Sequence, residues 1–162
     1  MSVEPRAAEK IVPIARAGEC SAAWRTAGEP VVVAEGVFDL LEAVHTRALA
    51  RARALGGRLI VLLLDDRSSA ERLGPGRPLV AAADRASVCA ALRVVDRVTI
   101  VSESERRSLL AKLRPAWYAR GVDPELRPAT EHGLSHAPGI ASADVGEAQT
   151  VDLVARLRQG HS

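Results

Sequence analysis

The segment Val31-Val32-Val33-Ala34-Glu35-Gly36-Val37-Phe38-Asp39-Leu40-Leu41-Glu42-Ala43-Val44-His45 constrains the chain more than any other. Its unbroken apolar run, 31–34, reads as a strand covered on both faces, the condition of a strand inside a parallel sheet. The run enters a glycine turn, then Phe-Asp, then a helix with one histidine in its first turn. Strand, tight turn and helix N-terminus in this order make a place for an anion. The first helical turn offers unpaired backbone N–H groups and the positive end of a dipole. Glu35 and Glu42 bring negative charge to the same place, so the segment raises both a fold and a question about its chemistry.

Downstream, apolar runs and helical periodicity alternate. A short helix is predicted over 17–27, ended by Gly28 and Pro30, ahead of the 31–34 strand. Leu41, Val44, Ala48, Leu49, Ala52 and Leu55 recur at helical spacing over 40–55, and Gly56-Gly57 stops that helix. The run 59–64 is a second buried strand, delivering Asp65-Asp66 at its C-terminal end, and Gly74-Pro75-Gly76-Arg77-Pro78 is a stiff loop. A helix over 84–93 is predicted with Val88, Ala91, Leu92 and Val95 inward. A strand at 98–101, a helix at 104–113 and a short strand at 116–119 follow. Residues 121–148 are rich in Pro, Gly, His and Ser and read as loop, and a terminal helix is predicted at about 149–158. This alternation predicts one α/β domain over residues 1–162, Rossmann-like and three-layered, with four or five mostly parallel strands. Right-handed crossovers would put a ligand site at the strands' C-terminal ends.

Composition agrees and narrows the function classes. Aromatic residues are 2% against 48% hydrophobic, so the core must be Ala, Val and Leu, which suits helices on a parallel sheet. The 22 basic and 20 acidic residues nearly cancel, which argues against a nucleic-acid partner. Cys20 and Cys89 lack metal or redox spacing, and Cys89 reads as a small buried hydrophobe. No apolar run approaches a membrane span and no leader-like segment opens the chain, so a cytoplasmic protein without a membrane partner is expected.

Six motifs stand in order: Lys10-Ile11; Gly36-x-Phe38-Asp39-Leu40-Leu41-x-Ala43-x-His45; Gly74-Pro75-Gly76-Arg77-Pro78; Asp84-Arg85 before Ala90-Ala91-Leu92; Val95-Asp96; and Leu113-Arg114-Pro115. Over about 10–123 they resemble the cytidylyltransferase-like nucleotidyltransferases. Within that superfamily they are most similar to the adenylyltransferase domains of ADP-heptose synthases. The resemblance implies a Rossmann-like fold and transfer of a nucleotide to a sugar or alcohol phosphate with release of pyrophosphate. It also implies a nucleoside triphosphate with Mg2+ as cofactor, a small phosphorylated or nucleotide ligand as partner, and pairing into a homodimer.

The family segment reads Asn-Gly-Cys-Phe-Asp-Leu-Leu-His-Ala-Gly-His, and its two histidines face the triphosphate. Here the second is His45, while the first is replaced by Glu42, the Asn by Glu35 and the Gly by Val44. The family lysine ahead of the Gly-Pro-Gly-Arg-Pro loop is Leu73, with Arg72 the nearby cation. The Lys-Gly-Gly-Asp near the later strand is Arg120-Gly121-Val122-Asp123, and the Ser-Thr-Thr of the last helix has thinned to Thr150. Two unit charges about 4 Å apart interact by roughly 4 kcal/mol at a surface-like dielectric. A carboxylate in place of a histidine therefore opposes a triphosphate.

The residues leave several roles open. Asp39 would cap a helix starting near Leu40, worth about 1 kcal/mol, or belong to the phosphate site with Gly36 and Phe38. Asp84 is an N-cap candidate, with Arg85 either its salt-bridge partner or a phosphate ligand. Arg77, held between glycine and proline, is a ligand-contacting candidate. Glu35, Asp39, Glu42 and His45 would form an acidic pocket around one imidazole, usable as a carboxylate–imidazole acid/base pair or as a divalent-metal site. The bland alternative is drift in a site no longer in demand. The expected function is that of a diverged nucleotidyltransferase-like enzyme of specialised metabolism that reuses the pocket through Glu42 and His45; the alternatives are an active sugar-phosphate adenylyl- or cytidylyltransferase and a non-catalytic nucleotide- or metabolite-binding subunit. Asp66 is a turn acid or, by resemblance, borders the site in Asp66-Arg67-Ser68. His132 and His136 have metal-ligand spacing, but Gly133, Pro138 and Gly139 argue for a loop over the sheet edge. Trp117-Tyr118 is a core strand or a base-stacking platform. The expected catalytic set is thus Glu35, Glu42 and His45. The phosphate set is Gly36, Phe38, Asp39, Asp66, Arg72, Arg77, Arg85, Arg120 and Thr150.

Overall fold

The computed structural model describes residues 6–120 and 126–127. The helices are α1 (Ala7–Lys10), α2 (Ile14–Thr26), α3 (Ala43–Ala54), α4 (Asp66–Leu73), α5 (Ala82–Ala91) and α6 (Glu103–Leu113). The strands are β1 (Val31–Gly36), β2 (Arg58–Leu64), β3 (Arg97–Val101), β4 (Trp117–Arg120) and β5 (Leu126–Arg127). The sheet order is β3-β2-β1-β4-β5; the first four strands are parallel, and β5 runs antiparallel beside β4. The chain therefore moves outward from β1 in one direction and then returns to its other side. That reversal, between β1 and β4, is the topological switch point where open α/β sheets form a crevice at the strands' C-terminal ends.

The two apolar runs become the two central strands because both of their faces are covered. On one face Val31, Val33, Ile60, Leu62 and Leu64 pack against Ala17 of α2 and Leu109, Leu110 and Leu113 of α6. On the other, Val32, Ala34, Leu59, Val61 and Leu63 pack against Leu49 and Ala52 of α3 and Ala82, Ala86, Cys89 and Ala90 of α5. Each fully buried Val or Leu contributes about 1.5–3 kcal/mol. Small alanines on α3 and α5 let those helices lie close to the sheet. Cys89 is fully enclosed there, and burial pushes its thiol up to about 12.

Three expectations are corrected. The inward stripe of α5 is Ala82, Arg85, Ala86, Cys89 and Ala90, at helical spacing, whereas Val88 is 49% exposed and Ala91 also faces out. Bulk hydrophobicity favoured Val88, but the close approach of helix to sheet selects alanine. The segment after β2 is not a simple turn: Asp65 caps α4 by accepting from Ser68 N–H at 2.7 Å, and Arg67–Glu71 pairs one turn apart. Residues 126–127, read as loop, add the antiparallel edge strand. The remainder of the 121–148 loop and the terminal helix at 149–158 lie outside the described residues.

Helix α6 begins as its Ser-x-x-Glu pattern dictates, with Ser102 and Glu105 bonded reciprocally in a capping box. Lys10 is buried and donates to Leu92 O at 3.2 Å. Asp96 accepts from Leu59 N–H at 2.8 Å and from Arg58. These two motif positions thus hold the N-terminal ends of the strands, away from the crevice.

Candidate active site

Strand β1 ends in a turn that sequence spacing alone would not build. A Cβ on Gly36 would stand 2.8 Å from the Phe38 ring, so glycine is required by the close approach of that ring. Phe38 itself has φ of 53°, a left-handed conformation that a bulky residue adopts at a cost of roughly 1–3 kcal/mol. The strain puts its ring in the α3/α5 core, edge-on to His45 with centroids 6.0 Å apart.

Asp39 does not cap a helix near Leu40, because α3 starts at Ala43 with Glu42 as its N-cap. Instead the buried Asp39 carboxylate reaches forty residues along the chain. It accepts from Leu79 N–H at 2.8 and 2.9 Å and from Val80 N–H at 2.9 Å, and lies 2.7 Å from Arg77 Nη2. Asp39 thereby fastens the Gly-Pro-Gly-Arg-Pro loop to the β1–α3 turn. The Arg77 side chain is 7% exposed, and none of its three nitrogens makes a hydrogen bond.

Arg85 is fully enclosed. Nε donates to Val80 O at 2.8 Å, Nη1 to Val37 O at 2.5 Å and to Leu64 O at 3.0 Å, and Nη2 to Asp66 Oδ1 at 2.6 Å. Asp66 also accepts from Ala82 N–H at 2.8 Å and so caps α5. Four hydrogen bonds within the protein engage Arg85, and Asp84 is not the N-cap of α5. Arg85 clamps the ends of β1 and β2 to the loop before α5, and the N-cap of α5 is Ala81.

His45 occupies the third position of α3 and is buried. Its Nδ1 accepts from Glu42 N–H at 2.9 Å, so the neutral ring carries its proton on Nε2. Burial lowers the His45 pKa below the ordinary histidine range, and the Glu42 charge opposes that shift only in part. Protonating the ring would also break the bond to Glu42 N–H. At neutral pH the site therefore holds a neutral imidazole with an Nε2–H donor. Glu42 adds negative charge at the positive end of α3, which favours the helix by about 0.3–1 kcal/mol.

Glu35 does not join Glu42 and His45. Residues along a strand alternate faces, and Glu35 follows Val31 and Val33 on the α2/α6 side, whereas Phe38 packs on the α3/α5 side. Its carboxylate is wholly buried, accepts from the Tyr118 hydroxyl, and lies 3.4 Å from Arg72 Nη2 and 3.5 Å from Arg106 Nη1. Glu103 completes the network, bound by Arg72 at 2.9 Å and by Arg106 at 2.8 Å. Burial first, then the Glu35 charge, raises the Tyr118 pKa. Tyr118 is thus a core residue and no stacking platform, and Arg72 is engaged by Glu35 and Glu103. Sequence reasoning missed Arg106, Glu103 and Tyr118 as partners. The only signal was a carboxylate in an otherwise apolar strand.

Arg120 closes β4 in register with Glu35, at the switch point. Asp123, His132, His136 and Thr150 lie outside the described residues. Among the described residues no three His, Cys, Asp or Glu side chains group to hold a metal ion. No helix among them is long and apolar enough to cross a membrane.

A family model, described as Cytidylyltransferase-like, matches residues 33–139. The Bifunctional protein HldE of Magnetococcus marinus is 43% identical over 115 residues, which cover 71% of this chain and 24% of that protein. The Bifunctional protein HldE of Halorhodospira halophila is 39% identical over 138 residues, covering 83% of this chain and 29% of that protein. The chain thus spans about a quarter of the length of these curated relatives. Among solved structures, a lipopolysaccharide core biosynthesis protein from Thermoplasma volcanium superposes with a TM-score of 0.59 at 24% identity, covering 72% of this chain and all of that one. That superposition supports the Rossmann-like α/β fold. With the family model covering most of the chain, the conclusion is direct: this protein belongs to the cytidylyltransferase-like family.

Proposed function

We propose that the chain transfers a nucleotide from ATP or CTP to a sugar phosphate, releasing pyrophosphate, through a site in which one histidine handles the transferring phosphoryl group. The observation that carries this reading is the bonding of His45. With Nδ1 occupied by Glu42 N–H and the pKa lowered by burial, the ring offers a hydrogen bond from Nε2 and has no free lone pair for taking up a proton. Such a donor stabilises charge on a phosphoryl oxygen, and nucleotidyl transfer depends on this kind of positioning and electrostatics. It does not suit the carboxylate–imidazole acid/base pair expected of Glu42 and His45, because the imidazole is held by the backbone of Glu42. The resemblance of the motifs to the adenylyltransferase domains of ADP-heptose synthases supports a heptose-type sugar phosphate as acceptor and ATP as donor. A small phosphorylated ligand and a homodimer go with the same reading.

Magnesium would enter with the triphosphate, whose charge it would offset. Among the described residues no three His, Cys, Asp or Glu side chains group to hold such an ion on their own. The protein's own contribution is the Nε2–H of His45 and the N-terminal turn of α3, in a turn kept rigid by Phe38, Asp39 and Arg85.

The second reading, a diverged enzyme of specialised metabolism, is favoured by one observation: a carboxylate stands where the family has its first histidine. Both readings meet in one assay. Pyrophosphate release from ATP and CTP is measured with a panel of sugar phosphates. His45→Ala is expected to lower kcat by about 100–1000-fold, the usual loss for one transition-state donor. Glu42→His is expected to tighten triphosphate binding by at least about tenfold, by removing a repulsion of a few kcal/mol. No release with any acceptor would sink the transfer reading. Nucleotide affinity without turnover would then point to a binding subunit, and loss of some other turnover in Glu42→Gln to the diverged enzyme.

A further inference from the structure

We propose that Phe38 is the positioning residue of His45, its ring fixing the direction of the imidazole N–H, an assignment that rests on the phosphoryl-donor reading above. The backbone gives the first observation. Among the described residues, two that are not glycine have positive φ: Phe38 at 53° and Arg114 at 46°. Arg114 is the C-cap of α6, and a left-handed residue commonly ends a helix. Phe38 ends no helix. A bulky residue keeps such a conformation only where its surroundings over-determine it, and residues of this kind cluster at functional sites. Here three neighbours do so. Gly36 leaves room for the ring, since a Cβ there would stand 2.8 Å from it. Arg85 holds Val37 O at 2.5 Å, and Leu79 and Val80 N–H hold the Asp39 carboxylate.

The strained turn delivers the Phe38 ring to the imidazole. Both rings are buried and meet edge to face, with centroids 6.0 Å apart and planes at 65°. His45 needs this second contact. The χ2 torsion of a histidine is intrinsically broad. Glu42 N–H holds Nδ1 at 2.9 Å, but a single hydrogen bond near the pivot resists rotation about the Cβ–Cγ bond only weakly. An aromatic ring against the imidazole blocks that rotation and sets the plane. With Nδ1 and the plane both fixed, the Nε2–H bond points one way. A donor already in its working orientation needs no reorganisation when charge develops on a phosphoryl oxygen.

Two variants of the full chain test this, Phe38→Leu and Gly36→Ala. The first keeps an apolar side chain and removes the aromatic ring. The second keeps the ring and displaces it, and the φ of Gly36 is not positive, so the backbone accepts alanine. Pyrophosphate release from ATP with a sugar phosphate is measured for both. The expected loss of kcat is about tenfold to hundredfold, the scale of misplacing a reacting group by about 1 Å, with KM little changed. Carbon-13 relaxation of the His45 Cε1–H bond supplies the second readout. Its order parameter should fall in both variants while those of the α3 amides hold, a pattern that general loosening of the fold would not give. Should Phe38→Leu fail to fold, Gly36→Ala carries the same two readouts. A rise in KM with kcat intact would overturn the proposal, because Gly36 and Phe38 would then serve ligand binding alone. An unchanged Cε1–H order parameter would overturn it too, as would a fall shared by the α3 amides. The two readings fail separately. Absence of pyrophosphate release in the wild type removes nucleotidyl transfer and leaves relaxation to judge Phe38, whereas equal turnover by wild type and Phe38→Leu removes only the positioning role.

Discussion

Arg85→Met is expected to destabilise the fold by about 3–5 kcal/mol, the loss of four hydrogen bonds from a buried charged donor at about 1.5–3 kcal/mol each, offset in part by relaxation. The methionine replaces the stem and none of the donors. Val37 O, Leu64 O and Val80 O lose their bonds from Arg85, and Asp66 loses its ion pair. Leu64 O keeps its bond from Ser69 Oγ, but the geometry that joins the ends of β1 and β2 to the loop before α5 is lost. Chemical denaturation read by circular dichroism measures it. A loss under about 1 kcal/mol would mean that Arg85 is not the clamp described here. Because Val37 precedes Phe38 and Val80 follows the Arg77 loop, a variant that still folds should also bind phosphate more weakly.

Glu35→Ala is expected to cost a similar amount, about 3–5 kcal/mol, for the converse reason. It leaves Arg72 and Arg106 without their buried counter-charge and the Tyr118 hydroxyl without its acceptor. The side chain of Glu35 is wholly enclosed, while Arg72 and Arg106 are partly exposed and keep Glu103, which places the effect toward the lower end of that range. Replacing the charges together discriminates the cause. Glu35→Leu with Arg72→Met and Arg106→Met should recover most of the stability, since a buried ion cluster and an apolar cluster of like volume are often close in energy. If Glu35→Ala alone proved neutral, the network would be a surface decoration. The same substitution tests the correction made to the expected site: Glu35 braces α4 and α6 against β1, and its loss should act on stability before it acts on nucleotide.

How much of this was legible in the chain follows from the range of each interaction. Strands β1 and β2 were readable because burial on both faces leaves an unbroken apolar run, and α6 because Ser102 and Glu105 form a local cap. Helix α4 was not read, since its residues are nearly all polar, although Asp65 three residues before Ser68 was an available cap signal. The inward face of α5 was misread because alanines carry little hydrophobic signal, yet they alone allow close packing. The roles of the motif residues were the least readable. Asp39 acts on residues 77–80, Arg85 on 37, 64, 66 and 80, and Glu35 on 72, 106 and 118. No periodicity or spacing rule reaches across such separations. Much of the motif set therefore serves the scaffold, and the residues left to meet a ligand are fewer than the motifs suggested.

The central claim is that His45 works as a neutral Nε2–H donor to a phosphoryl oxygen. Nitrogen-15 NMR of the labelled imidazole, with and without ATP, tests it most directly. The account predicts one tautomer at pH 7, protonated at Nε2 and accepting at Nδ1, taking up a second proton only below the ordinary histidine range near 6.5. On addition of ATP the Nε2 resonance should move and the Nδ1 resonance should stay. A doubly protonated ring at pH 7, a proton on Nδ1, or an Nε2 resonance that ignores ATP would contradict it.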